Sequence, residues 1–432
     1  MTEAADFSVR NPEQLVVPLA GRLRETGESA EPYQLLDPEG TVVGPVAWYF
    51  AELLAESKPE TTLRSYGMDL LRWFRFLWAV DVPWDRATRA EGRDFTRWLQ
   101  VTDKPVRVHW RYQKHDGPLA EAPAAERKRG GPAPGTPNAI TGKPSPGSKY
   151  ALNTWAHSET VLRAFYDMHL DNGTGPIMNP FPLARSRRSS RSNAHHNPME
   201  PFLNEGRGRY RPTVPKRLPR RIPDELFNRL FASLNHNRDR ALLAFWVSTG
   251  ARADELLTSK QKDALPGQQV VGVIRKGTRT YQQIPASPDS FVWLRLAQAE
   301  SWKKGAPRGR NETLWWTLRR PWRPLNYPAA RAMFIRVNKL LGSNWTLHDL
   351  RHTASYRMAN DPKMSLTDVQ WVLDHVHLST TQIYLTPSPE EVIENVRAHH
   401  ARRAREEAEP KPQVPAPGYS PESLQVLFGD PR

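Results

Sequence analysis

The feature that most limits how this 432-residue chain can fold is a basic, structure-poor stretch near its middle. Residues 183–221 contain RSRRSSRSNAHH and RGRYRPTVPKRLPRR. Clustered cations with Ser, Gly and Pro cannot bury apolar area, so no hydrophobic core runs through them. The chain is also too long for one ordinary core. The expectation is two folded domains joined by a solvated linker whose arginines can follow a polyanionic backbone.

On the N-terminal side, residues 1–45 mix short apolar pieces with Pro, Gly and acids and read as a loosely ordered arm. Residues 46–182 read as a small helical domain. Trp48, Phe50, Leu53 and Leu54 form one stripe; Leu63, Tyr66, Leu70, Trp73, Phe74 and Leu77 form a second at 3–4 spacing. Arg64, Arg72 and Arg75 flank that second stripe and are the candidates in this domain for contact with such a polyanionic backbone. Further helices are expected at Arg89–Leu99 and His157–Leu170. Between them, residues 101–150 are dense in Gly and Pro (GGPAPGTP, GKPSPG) and read as an insertion.

Residues 222–400 form the second domain. Pro223 starts a helix, ALLAFWV at 241–247 is apolar all round and must be buried, and Gly250 ends it. QVVGVI, a tight RKGTR turn and TYQQIP read as a β-hairpin. Helices resume at Phe291–Ser301, Ala329–Leu341, His348–Met358 and Thr367–Leu373. Ser388-Pro389-Glu390-Glu391 reads as a capping box launching a charged helix to about Glu409. Residues 401–432 are a tail with a small apolar patch at Leu424–Phe428. The fold class is therefore mainly α with a small β-sheet.

Composition narrows the partners. There are 61 Lys and Arg against 46 Asp and Glu, a formal net charge of +15. Such a field favours a polyanion, because each neutralised phosphate releases condensed counterions. No cysteine is present, which excludes disulfides, thiolate metal sites and cysteine nucleophiles. The N-terminal residues lack the apolar run of a signal peptide, and no stretch of about 18 apolar residues exists to span a membrane. The lack of cysteine fits a reducing, cytoplasmic compartment.

The chemistry concentrates between Thr346 and Tyr384. His348 and Arg351 sit three apart at a helix start and project from one face. A guanidinium grips two phosphate oxygens at once, and an imidazole relays a proton near neutral pH. His375 precedes Tyr384 by nine residues. A phenol near pKa 10 becomes a nucleophile only when its proton is accepted. Upstream, Arg252 follows the Gly-terminated helix, with Glu255 placed to steady it. Lys276 sits at the hairpin turn, where it can swing over a phosphodiester. His348 and His352 also stand at i and i+4, as zinc-binding helices require, yet Asp349 replaces the usual Glu and Arg351 would repel the cation. No metal site is expected there, and the doublets His195–His196 and His399–His400 read as surface residues.

STGARADELL, VIRKGTR…IP, LHDLRHTAS and LDHVHLSTTQIYLTP together resemble the motifs of the tyrosine recombinase, or phage integrase, family. Residues 222–400 carry the match, while LRSYGMDLLRWFRFL resembles part of the family's N-terminal domain. Asp374 stands where the family usually has glycine before the histidine. The resemblance implies a helical, SAM-like core-binding domain followed by a catalytic domain of the DNA breaking–rejoining fold. It implies that Tyr384 attacks the scissile phosphate to form a 3′-phosphotyrosyl bond. Arg252 and Arg351 would stabilise the phosphate, Lys276 would act as general acid, His348 as general base, and His375 would donate to phosphate. Glu255 would support from behind, and no cofactor is implied. The implied partner is double-stranded DNA, engaged by a homo-tetramer on paired sites, a dimer per site, with accessory proteins. The apolar Leu424–Phe428 patch of the C-terminal tail, beyond its Pro-rich tether, is itself expected to dock in trans on a neighbouring protomer. A type IB topoisomerase-like enzyme and a non-catalytic DNA-binding protein on the same fold are the alternatives.

Overall fold

The computed structural model describes residues 10–105, 133–184, 207–215, 219–385, 389–408 and 420–429. It divides into two compact units, Met1–Lys216 and Arg217–Arg432. The centre of the 101–150 insertion, most of the 183–221 linker with His195–His196, Ser388, and parts of the tail lie outside the described residues. No helix among the described residues is long and apolar enough to cross a membrane.

The first unit begins with a finding against expectation. The stretch read as a loose arm forms an antiparallel hairpin, β1 (Arg22–Glu25) and β2 (Tyr33–Leu36), with Leu23 opposite Leu35. Tyr33, Leu35 and Leu36 are buried, so its short apolar pieces are core residues on strands too brief to show alternation. In α1 (Gly44–Ala55) the buried row is Val46, Tyr49, Phe50 and Leu53, the i, i+3, i+4, i+7 pattern; Trp48 falls off that row and is exposed. In α2 (Glu60–Ala79), Gly67 lets β1 approach: a Cβ there would lie 2.7 Å from a Leu23 methyl. α3 (Arg89–Val101) opens with a Thr88–Glu91 capping box, and α4 (Leu152–Asp171) completes the layer. Trp73, buried at the centre, donates its indole N–H to Tyr166 Oη at 2.9 Å, and Tyr166 donates to the Trp84 carbonyl at 3.0 Å. That chain satisfies the polar tips of an aromatic core.

The arginines named for DNA contact separate here. Arg64 is exposed. Arg72 is held by Asp69, donates to Ser158 at 2.9 Å and lies over the Tyr150 ring at 4.8 Å. Arg75 donates to the carbonyls of Leu19, Ala20 and Gly21. Arg72 and Arg75 therefore tie the unit together, because their guanidiniums already have internal partners. The ends of the linker are likewise engaged. Arg211 Nη1 donates to Thr160 Oγ1 at 2.7 Å in the first unit, while Arg220 pairs with Asp349 at 3.1 Å and Arg221 lies 3.9 Å over the Tyr356 ring in the second.

The second unit runs α5 (Asp224–Ala232), α6 (Asn237–Thr249), α7 (Ala253–Leu257), then a three-stranded antiparallel sheet. Its strands are β3 (Ala264–Leu265), β4 (Val270–Ile274) and β5 (Tyr281–Pro285), in that order. Two-residue β3 is too short to have been read from sequence. α8 (Pro288–Lys303), α9 (Tyr327–Leu341), α10 (Leu347–Ala359), α11 (Leu366–Leu373) and the unforeseen short α12 (Leu378–Gln382) follow. α6 is the axis: Ala241–Phe245 and Trp246 are buried, and the helix packs on α8 and α10. α13 (Pro389–Ala408) carries the exposed His399–His400 pair. α14 (Pro421–Phe428) leaves Val426, Leu427 and Phe428 exposed.

Candidate active site

The site is built on helix ends. Gly250 closes α6 in the left-handed conformation at φ 64°, the region glycine occupies without a Cβ penalty. A Cβ there would also fall 2.8 Å from Leu373. The reversed chain presents Arg252 at the start of α7. Glu255, 2% exposed, accepts from the Arg252 backbone N–H at 2.9 Å and from its Nη1 at 2.7 Å. The same carboxylate accepts the Lys276 backbone N–H at 3.1 Å and Arg275 Nη1 at 3.2 Å. Burial alone would raise its pKa; hydrogen bonds from Arg252 and Lys276 overcome that and hold it below the ordinary carboxylate value.

Arg275 was read only as part of a turn. Its side chain is fully buried, and beyond Glu255 it donates to the Val372 carbonyl at 2.6 Å and to Gln282 Oε1 at 2.7 Å. It thus joins the hairpin that carries Lys276 to the end of α11, three residues before His375. The Lys276 side chain itself is exposed.

Arg351 lies on α10, whose start is fixed by Asp349 accepting the Thr346 N–H at 2.7 Å. Asp349 also pairs with Arg220, so its charge is spent on the cap and the linker rather than offered to a metal. Arg351 is 3% exposed. It donates to the Gly250 carbonyl at 2.7 Å, the Leu373 carbonyl at 2.6 Å and His375 Nε2 at 3.1 Å. Burial and then the Arg252 charge bring its pKa down to about 10, so it remains a cation at neutral pH.

His375 accepts from Arg351 at Nε2, which leaves Nδ1–H to donate to Thr381 Oγ1 at 2.9 Å. Burial, with Arg351 and Arg252, lowers its pKa to about 4. In this state it offers no N–H to a phosphate, unlike the donor role the resemblance implied. Asp374 occupies the left-handed region at φ 53°, the conformation its glycine counterpart would take without strain. Its Oδ2 sits 3.3 Å from Arg252 Nη1. The departure from glycine therefore adds a carboxylate to the first arginine.

Tyr384 is 5% exposed and packs with Val369 and Leu373, its ring near-parallel to His375 at 6.4 Å. Burial raises its pKa against the opposing pull of Ser355 and Arg351. Its hydroxyl lies 2.9 Å from Nδ1 of His352, not from His348. His348 is exposed and meets the His352 ring edge-on at 4.3 Å. The i, i+4 spacing that suggested zinc was the signal for this edge-on pair.

The unit thus gathers two arginines, two imidazoles and a tyrosine, with the lysine hairpin tied to them through Glu255 and Arg275. A mainly helical chain with this C-terminal unit has the fold of a tyrosine recombinase catalytic domain preceded by a helical N-terminal domain. Residues 220–391 match the model of the phage integrase family. The XerD tyrosine recombinases of Yersinia pestis and Vibrio cholerae are each 28% identical over 205 residues, covering 44% of this chain and 65% of theirs. The chain thus spans just under two thirds of the length of these curated relatives. The Tn1549 transposon integrase in complex with circular intermediate DNA superposes with a TM-score of 0.51 at 14% identity, covering 82% of this chain and 98% of that one. The same integrase with transposon right end DNA gives 0.50 at 14% identity, covering 83% and 99%. At that identity the likeness speaks for the fold alone.

Proposed function

We propose that the chain is a site-specific DNA recombinase of integrase or transposase type, cutting and rejoining duplex DNA through a 3′-phosphotyrosyl bond at Tyr384. The observation that carries this reading is the convergence on Arg351. One buried guanidinium contacts His375 and the Gly250 carbonyl, two residues before Arg252, while Tyr384 stacks beside His375. Two preorganised cations suit the charge that spreads over non-bridging oxygens when a phosphodiester is attacked. Arg252, about a third exposed, is the cation a phosphate reaches first. Lys276, exposed on a tethered hairpin, protonates the departing 5′ oxygen. The phosphotyrosine conserves bond energy for religation.

The DNA in the Tn1549 integrase structures and the net charge of +15 support double-stranded DNA as the partner. The assembly proposed is a tetramer on paired sites, a dimer per site, in the cytoplasm. The exposed Val426, Leu427 and Phe428 of α14 dock on a neighbouring protomer, with accessory proteins setting direction. A nicked suicide duplex tests the chemistry: wild type should accumulate a covalent DNA adduct and Tyr384→Phe should not. An adduct with the Phe variant would refute the assignment.

A further inference from the structure

We propose that His352 is the catalytic residue that accepts the proton of Tyr384 as the phenol attacks phosphorus, an assignment that rests on the recombinase reading above. Its Nδ1 lies 2.9 Å from Tyr384 Oη, inside the distance proton transfer needs, whereas the His348 ring meets the His352 ring instead. Tyr384 is buried, so solvent is a poor alternative acceptor. Because a phenol donates to a neutral imidazole, Nδ1 is the lone-pair nitrogen and Nε2 carries the hydrogen.

The surroundings keep His352 neutral until DNA arrives. Burial first, then the neighbouring His348, Arg351 and Arg220, against the opposing Asp349, bring its pKa to about 4. A phosphodiester entering at Arg252 and Arg351 places negative charge against Arg351, one of the cations that depress the imidazole. Its basicity then rises where the phenol is to be ionised. In the step itself, the bond from Tyr384 Oη to phosphorus forms and the bond from phosphorus to the 5′ oxygen breaks. The phenolic proton passes to His352 Nδ1, and Lys276 Nζ gives a proton to the 5′ oxygen. Religation runs the same transfers backwards. His348, exposed at the start of α10, is left facing the solvent side of the site, where a phosphate oxygen approaches.

The test is the single-turnover rate of adduct formation on the nicked suicide duplex by the full chain and its His352→Asn, His352→Phe and Lys276→Ala variants. His352→Asn keeps an acceptor atom near the Nδ1 position but is not basic. Both His352 variants should bind DNA within about 2-fold of wild type yet cleave roughly 100-fold more slowly or worse, the usual worth of a positioned proton acceptor. A second substrate carries sulfur in place of the bridging 5′ oxygen, a leaving group that needs no proton. It should restore Lys276→Ala and leave the His352 variants slow. Unchanged rates, full activity in His352→Asn, or rescue of the His352 variants by sulfur would each overturn the assignment. An adduct formed by Tyr384→Phe would instead bring down the recombinase reading itself.

Discussion

Arg275 offers the sharpest stability prediction. It is fully buried and makes hydrogen bonds to Glu255, Gln282 and the Val372 carbonyl. In Arg275→Met the side chain keeps its length and apolar bulk, so the cavity contribution is small. Glu255 is not orphaned, because Arg252 and the Lys276 N–H still bond to it. The Val372 carbonyl and the Gln282 amide oxygen do lose the guanidinium, while Gln282 Nε2 keeps the Trp371 carbonyl. Removing one side of a buried charged pair costs about 3–5 kcal/mol, and the surviving Arg252 bond places this case near 3. At about 2–4 °C per kcal/mol for a unit of roughly this size, the melting temperature should fall by roughly 6–12 °C. Arg275→Lys keeps the charge but not the fork, and should recover only part of the loss. Heat unfolding of the full chain, followed by calorimetry, measures both. A fall of less than about 3 °C in the Met variant would refute the reasoning. It would mean that dehydrating the guanidinium costs as much as its bonds return.

The histidines predict acid lability. A histidine in an unfolded chain titrates near 6.5, roughly, while His352 and His375 sit at about 4 in the fold. Between those values the unfolded chain binds more protons, so their contribution is complete above about pH 6.5 and is lost as pH falls toward 4. Each is worth on the order of 1–3 kcal/mol after allowance for partial exposure. The urea midpoint should drop between pH 7.5 and pH 5, and less so in His375→Asn; an unchanged pH profile in that variant contradicts the assignment. At the other end, deleting residues 410–432 should weaken assembly on paired sites more than single-site binding. Equal losses in a mobility-shift titration would count against tail docking.

What the sequence disclosed and what it withheld divide along a physical line. Helices whose apolar residues recur at 3–4 spacing, such as α2 and α4, were legible because one pattern spans many turns. The β1–β2 hairpin was not, since four-residue strands hold too few alternations to stand above a loop. Motif residues were legible by type and spacing, but their bonding was not. His352 was weighed only as a metal ligand, and only the turn before Tyr384, built by α12, brings the hydroxyl to it. That Asp374 replaces glycine was legible, but not that its left-handed backbone sets the carboxylate beside Arg252. Arg275 was hidden by its neighbour Lys276: both lie just past the end of β4, where one side chain is buried and the other exposed. Arg72 and Arg75 show the converse, positive residues that internal partners have already claimed.

The most direct measurement of the central claim is peptide mapping of the trapped DNA adduct. Trypsin cutting after Lys363 and Arg397 releases residues 364–397, in which Tyr384 is the sole tyrosine. Mass spectrometry after nuclease trimming should find the residual nucleotide phosphate on that peptide, at Tyr384. A nucleotide recovered on any other peptide, or a noncovalent complex alone, would contradict the account.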